Sequence, residues 1–289
     1  MINVTAPAKI NLTLEVLGKR PDGYHNIRSV IQMINLGDTL HFQESQQTEF
    51  SCDLPEWQAE KSLVSRAVEL VQGLYGGTKG VTVRIEKRIP LVSGLGGDSS
   101  DAVATLKGLN KLWQLGLSAE KLYKLAAQLG SDVPFFINGG TALMEGRGDL
   151  ITPLPPLPKT WLVLIIPEVT RILNKTAQLY ASLKPSHFTD GLITDHLISE
   201  MKAGENLKPE LLFNTFENVA FERSGELSLY SRHILKTGAA NIHLAGSGPA
   251  MFTMVKNEAE GKELIERLKG QRMELVLART LNSLEGDSR

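Results

Sequence analysis

The chain has 289 residues, 42% of them hydrophobic and 22% charged, the composition of an ordinary globular protein with a sizeable core. Its formal net charge of −1 excludes the basic field that would hold a nucleic-acid backbone. One cysteine, Cys52, excludes an internal disulfide framework and fits a reducing compartment, and the longest clean apolar run, Trp161 to Ile166, is too short to cross a bilayer. With no signal-peptide pattern ahead of the first strand, the expectation is a cytoplasmic protein with a small-molecule ligand, as a monomer or weak homodimer.

Residues 10–16 alternate strictly, with Ile10, Leu12, Leu14 and Val16 on one face and Asn11, Thr13 and Glu15 on the other. This pattern predicts a half-buried strand with Lys9 on the polar face beside Asn11. Pro21, Asp22 and Gly23 signal a turn, which Tyr24 and His25 follow. A second strand is expected over 27–35, and Gly37–Asp38 is read as the turn into a third around Leu40 and Phe42. Leu63, Ala67, Val68, Val71 and Leu74 form a helical stripe that Gly76–Gly77 should stop.

A strand over 80–88 then runs into residues 90–101, PLVSGLGGDSSD. Gly94, Gly96 and Gly97 free the backbone of side chains, and an amphipathic run starts at Ala102 and continues through Val103, Leu106, Leu109, Leu112 and Trp113. A strand, a glycine loop and a helix start in that order suit an anion, because backbone N–H groups and the helix N-terminus face it together. The plain alternative is a tight turn with Ser99 as a helix cap. The loop matches neither GxxxxGK[ST] nor GxGxxG, so the two common nucleotide loops are excluded.

A helix over Ala119 to Leu129 should end at Gly130, followed by Ser131, Asp132, Val133, Pro134, Phe135 and Phe136. Residues 152–158 carry four prolines and mark a boundary, giving domains at 1–157 and 158–289. Beyond it the pattern predicts a strand at 161–166, helices near 173–184, 190–203 and 208–236, and a strand at Ile242–Leu244. The turn GSGPA at 246–250, a strand at 251–255, a helix near 258–269 and a strand at 274–279 complete an α+β arrangement.

Four of these segments resemble one family. PLVSGLGGDSS resembles the phosphate-binding motif of the GHMP kinases, and LAGSGPAMF at 244–252 resembles their C-terminal glycine motif. PAKINLTLEVLGKRPDGYH at 7–25 and GSDVPFF at 130–136 are similar to the branch of that family acting in the non-mevalonate isoprenoid pathway. The resemblance implies a two-domain fold, with a ribosomal-protein-S5-like N-terminal half, a ferredoxin-like C-terminal half and the active site in the cleft between them. It implies that ATP, with Mg²⁺, phosphorylates the 2-hydroxyl of a small molecule, 4-diphosphocytidyl-2-C-methyl-D-erythritol.

The resemblance also assigns residues. Asp132 would take the hydroxyl proton, and Lys9, adjacent to it, would orient it and offset charge on the transferring phosphoryl group. The ATP phosphates would lie along Pro90, Leu91, Val92, Ser93, Gly94, Leu95, Gly96, Gly97, Asp98, Ser99 and Ser100, with a serine hydroxyl reaching Mg²⁺. Tyr24 and His25 would hold the cytosine, a planar base suited to a ring pair, with Tyr180 as a further aromatic nearby. Asn11, Gly246, Ser247 and Gly248 complete the substrate side.

Two departures stand out. Asp98 occupies the place of a third glycine, and its carboxylate is expected to point away from the phosphates. Ser62 replaces a common asparagine near the adenine. The competing readings are a kinase of the mevalonate or homoserine type, a catalytically inactive ligand-binding relative, and an S5-like RNA-binding domain. Tyr24–His25, the presence of both Lys9 and Asp132, and the near-zero charge argue against them in turn.

Overall fold

The computed structural model describes residues 1–75, 77, 79–170 and 175–283. Strands β1 (Ile2–Asn11), β2 (Thr13–Lys19), β3 (His25–Ser45) and β4 (Glu49–Cys52) lead into helix α1 (Leu63–Tyr75). Strand β5 (Gly80–Glu86) precedes helices α2 (Gly97–Leu112), α3 (Ala119–Leu129) and α4 (Phe135–Asn138), and then β6 (Thr141–Gly146) and β7 (Leu150–Pro153). The second half runs through β8 (Trp161–Pro167), α5 (Lys175–Ser182), α6 (Leu192–Lys202), β9 (Phe213–Asn214), α7 (Glu217–Arg223), α8 (Gly225–Lys236), β10 (His243–Leu244), β11 (Met251–Val255), α9 (Glu258–Leu268) and β12 (Met273–Arg279).

Two sheets result. The first is built on β3, which pairs with β1, β2, β5 and β6, and it takes in β4, β7 and β9 at its margins. The second has the order β10-β11-β8-β12 and is antiparallel throughout. Backbone pairing joins the halves at several places, two of them at strand ends. β9 pairs in parallel with β2, and the segment after β12 returns to β3, where Leu281 N–H donates to the Met33 carbonyl at 2.8 Å. Among the described residues no helix is long and apolar enough to cross a membrane.

Several expectations change. The strand expected over 10–16 is broken at Leu12 between β1 and β2, and it is not half-buried, because Asn11, Thr13 and Glu15 are as enclosed as their apolar neighbours. The second half covers the polar face, where Thr194 N–H donates to Glu15 at 2.7 Å and the Thr194 and Thr13 hydroxyls meet at 2.9 Å.

Gly37–Asp38 is not a turn but lies within the 21-residue β3. There β3 passes β1 so closely that a Cβ on Gly37 would sit 3.0 Å from the Ala6 carbonyl oxygen, so the glycine serves contact. The stretch 208–236 is not one helix: β9 interrupts it, and Ser224 caps α8 by accepting from Leu227 N–H at 3.2 Å.

The stripe from Leu63 ends at Tyr75. Gly76, the expected stop, lies outside the described residues, as do 173–174 at the start of the helix expected there. The helix after the glycine loop begins five residues earlier than the apolar pattern indicates, at Gly97, with Gly96 as its left-handed N-cap (φ 74°).

Candidate active site

The glycine loop is held by backbone contacts on two sides. Lys9 N–H donates to the Leu95 carbonyl at 2.9 Å, and Ala250 N–H donates to the Ser93 carbonyl at 3.2 Å. Against the second side lies the 246–250 turn. A Cβ on Gly248 would sit 1.9 Å from the Ser93 carbonyl oxygen, and one on Gly94 would sit 2.5 Å from the Gly248 nitrogen. The two glycine motifs are therefore packed back to back, and their glycines permit this approach.

Ser99 and Ser100 fall in the first turn of α2, whose open N–H groups supply the positive end of the helix. Ser100 Oγ is buried with no hydrogen-bond partner among the described residues. Val92 adopts φ 59° and leaves 68% of its surface exposed, a strained conformation for a β-branched residue.

The carboxylate of Asp98 turns away from the loop. It accepts from Ser62 Oγ at 2.8 Å and from Leu63 N–H at 3.0 Å, and so caps the N-terminus of α1. The two departures noted in the sequence are thus one contact: Ser62 is spent on Asp98, and Asp98 on α1.

Beneath the loop lies a buried charge cluster. Lys87 Nζ donates to Asp38 at 2.5 Å and to Asp101 at 2.7 Å, with all three side chains enclosed. The other oxygen of Asp38 accepts from Arg88 and Ile89 N–H at 2.6 and 2.7 Å. Burial alone would lower the Lys87 pKa, but Asp101 and Asp38 raise it above the ordinary lysine value. Burial, then Asp38, pushes Asp101 well up, against the pull of Lys87.

Lys9 sits on the other flank. Its ammonium is buried and donates to Asn11 Oδ1 at 2.7 Å; Asn11 in turn donates to Ser29 Oγ at 2.7 Å. Burial lowers the Lys9 pKa, and the charge of Asp132 works against that shift. Lys9 and Asp132 line the same cavity. Among the described ion pairs none joins them, because Asn11 takes the ammonium and Asp132 acts on it through space. Asp132 is half-buried in the loop that Gly130 opens, while Phe135 and Phe136 anchor that loop in the core. The Phe136 ring also abuts Gly96, where a Cβ would come within 2.9 Å.

The aromatic pairing differs from expectation too. His25 stacks on Tyr180, with centroids 4.8 Å apart and planes at 20°, and Phe188 meets His25 edge-on. Tyr24 is 58% exposed and lies instead under the Arg147 guanidinium, 5.1 Å from its ring centroid. Tyr24 precedes β3 and His25 begins it, and the two rings have different neighbours. Burial, then Lys19, lowers the His25 pKa. Burial, then Asp132, raises that of Tyr180.

Lys9, Asn11, Tyr24, His25, Asp132, Tyr180 and Ser247 all line one cavity of about 1020 Å³. A second cavity of about 1020 Å³ adjoins the loop entrance, Pro90 to Ser93. Gly94, Leu95, Gly96, Gly97, Asp98, Ser99, Ser100, Gly246 and Gly248 line neither cavity. Gly246 supports the loop from behind, since a Cβ there would meet the Gly94 carbonyl oxygen at 2.9 Å. Ser247 reaches the first cavity and bonds Thr176 Oγ1 at 2.7 Å.

Residues 62–140 match the family described as GHMP kinases N terminal domain. A protein of Dehalococcoides mccartyi named 4-diphosphocytidyl-2-C-methyl-D-erythritol kinase is 49% identical over 285 residues, spanning 99% of this chain and 100% of its own. The chain belongs to the 4-diphosphocytidyl-2-C-methyl-D-erythritol kinase family, within the GHMP kinases.

A crystal structure of 4-(cytidine 5'-diphospho)-2C-methyl-D-erythritol kinase superposes with a TM-score of 0.82 at 29% identity, covering 96% of this chain and 99% of that one. The mevalonate kinase of Methanococcus jannaschii shares the fold at a TM-score of 0.70 and 16% identity, over 97% and 98% of the two chains. The α+β arrangement is therefore the GHMP kinase fold, and members of this family are kinases that phosphorylate an alcohol.

Sequence reasoning missed Asp38, Lys87 and Asp101, which come from β3, the segment after β5 and α2. It also missed Arg147, Lys175 and Thr176 on the cavity walls. The only local signal was Asp38 after Gly37, a pair that also spells a turn.

Proposed function

We propose that this chain transfers the γ-phosphoryl group of ATP to the 2-hydroxyl of 4-diphosphocytidyl-2-C-methyl-D-erythritol, with Asp132 and Lys9 at the point of transfer. The observation that carries the reading is the single cavity that gathers Lys9, Asn11, His25, Asp132 and Tyr180 beside the glycine loop, in a chain of this family. ATP enters through the second cavity, and its phosphates face the first turn of α2. The lobes of the reading are residues 1–157 and 158–289, with the cleft between them.

Asp132 accepts the proton of the 2-hydroxyl as the oxygen attacks phosphorus. The buried ammonium of Lys9 holds charge that develops on the transferring oxygens, and Asn11 fixes its direction. The base stacks against the His25–Tyr180 pair, which is preformed, and Arg147 approaches the acceptor's diphosphate from the Tyr24 side.

Among the described residues no cluster of three or more acidic, histidine or cysteine side chains is shaped to hold a metal. Mg²⁺ fits the reading as an ion that arrives on the phosphates, since it keeps few protein ligands. A serine hydroxyl of the glycine loop would meet it there. When bound it supplies charge neutralisation to the phosphates. The direct test is ADP release with the diphosphocytidyl substrate compared with mevalonate and homoserine. Turnover confined to the first supports the reading, and turnover confined to either of the others overturns it.

A further inference from the structure

The two cavities share only two lining residues among those described, Val92 and Lys175. A phosphoryl group passing from a donor in one cavity to an acceptor in the other must cross the place where they meet. One of the two residues there is apolar and the other is a cation.

We propose that Lys175 is a second positioning cation for phosphoryl transfer, reaching the phosphates where the donor and acceptor cavities join. The proposal rests on the function proposed above.

Three observations support it. Lys175 is the first residue of α5, and the adjacent Thr176 is tied to Ser247 of the glycine turn at 2.7 Å, which fixes its backbone against the wall of the site. Among the described residues no hydrogen bond or ion pair engages its ammonium. Glu56, Glu168, Glu226 and Glu274 share the second cavity with it and Asp132 the first, yet none pairs with it. Burial, with no charge opposing it, pushes the Lys175 pKa down to about 8. A half-buried ammonium without a counter-ion is uncomfortable in the empty protein and is relieved by an anion.

The other cations divide differently. Lys87 is saturated by two carboxylates, and Arg88 lines only the donor side. Lys9, Lys19 and Arg147 line only the acceptor side. Among the described cations Lys175 alone borders both cavities and can follow charge as it moves from one to the other, and this mobile charge is what phosphoryl transfer must stabilise.

The test compares Lys175→Met and Lys175→Arg with the unaltered protein, with kcat and both KM values read separately and thermal stability as control. In Lys175→Met, kcat should fall about tenfold or more while the KM values for ATP and acceptor move less than about threefold. Lys175→Arg should recover most of the lost kcat, because the charge is restored. The proposal is overturned if Lys175→Met keeps its kcat, or if the loss lies wholly in the acceptor's KM, which would make the lysine a ligand of the acceptor's diphosphate. It is overturned equally if Lys175→Arg is as impaired as Lys175→Met, which would mark a packing role. Failure of the underlying function shows itself separately, as absence of turnover in the unaltered protein.

Discussion

Two buried lysines flank the glycine loop, and they are opposites. Lys9 lies against Gly96, where a Cβ would come within 3.0 Å of its Cγ, and Lys87 lies against Gly97, with its Nζ 3.4 Å from the corresponding position. Lys87 is fully compensated by Asp38 and Asp101. Lys9 has one neutral acceptor, Asn11, and its charge is disfavoured by burial. The difference separates a cation whose charge is met inside the protein from one left without a carboxylate in direct contact. Residue type and burial are the same in both; the neighbours decide the role.

Replacing each lysine in turn is the sharpest way to break that contrast. Lys9→Met should lower kcat about 10³-fold, yet cost about 1 kcal/mol or less of stability, since relief of desolvation offsets the lost bond to Asn11. Asp132→Asn should match that loss of turnover while nucleotide binding, read by titration calorimetry, stays near normal. Lys87→Met should do the reverse and cost about 3–5 kcal/mol in urea denaturation, because two buried carboxylates lose their partner. If both lysine variants lose stability alike, the contrast fails.

pH sharpens it further. The folded-state pKa of Lys9 is depressed, so its cost is present at neutral pH and fades as pH rises toward 10.5. That of Lys87 is raised, so its contribution is intact below 10.5 and is lost only as pH climbs past the folded value. Between pH 7 and pH 10, therefore, the unaltered protein should gain stability relative to Lys9→Met, while its advantage over Lys87→Met should hold steady.

Smaller effects lie further out. Tyr180→Ala removes the ring that His25 stacks on and should raise the acceptor's KM about tenfold with little change in that of ATP. Asp98→Ala should cost about 1 kcal/mol through the lost cap on α1 and leave the KM for ATP nearly unchanged. A strong effect on ATP would return Asp98 to the phosphate site.

Much of this was legible in the sequence where one local pattern had one cause. The α1 and α3 stripes, Gly130 as the end of α3, and the strand–helix–strand run from β11 to β12 follow from periodicity and turn residues alone. Gly37–Asp38 misled because the same pair that makes turns here serves a close strand crossing and a buried ion pair, and neither partner is nearby in the chain. The start of α2 was misplaced because glycines carry no apolar signal, although the helix runs through Gly97. In the site, Lys9, Asn11, His25 and Asp132 were grouped by the family resemblance and not by any local pattern, and they line one cavity. The exchange of ring partners between Tyr24 and Tyr180 was not legible, since it depends on contacts between residues far apart in the chain.

The return of the chain after β12 changes what the proline-rich stretch between the halves can do. Asn282 Nδ2 donates to the Leu157 carbonyl at 2.9 Å, Thr280 Oγ1 donates to that of Pro158 at 3.2 Å, and Thr160 N–H donates back to Thr280 Oγ1 at 3.0 Å. A stretch that reads as a loose linker is therefore tied down by a strap from the far end of the chain. The prolines are therefore held in place by residues 280–282, more than a hundred positions away in the chain.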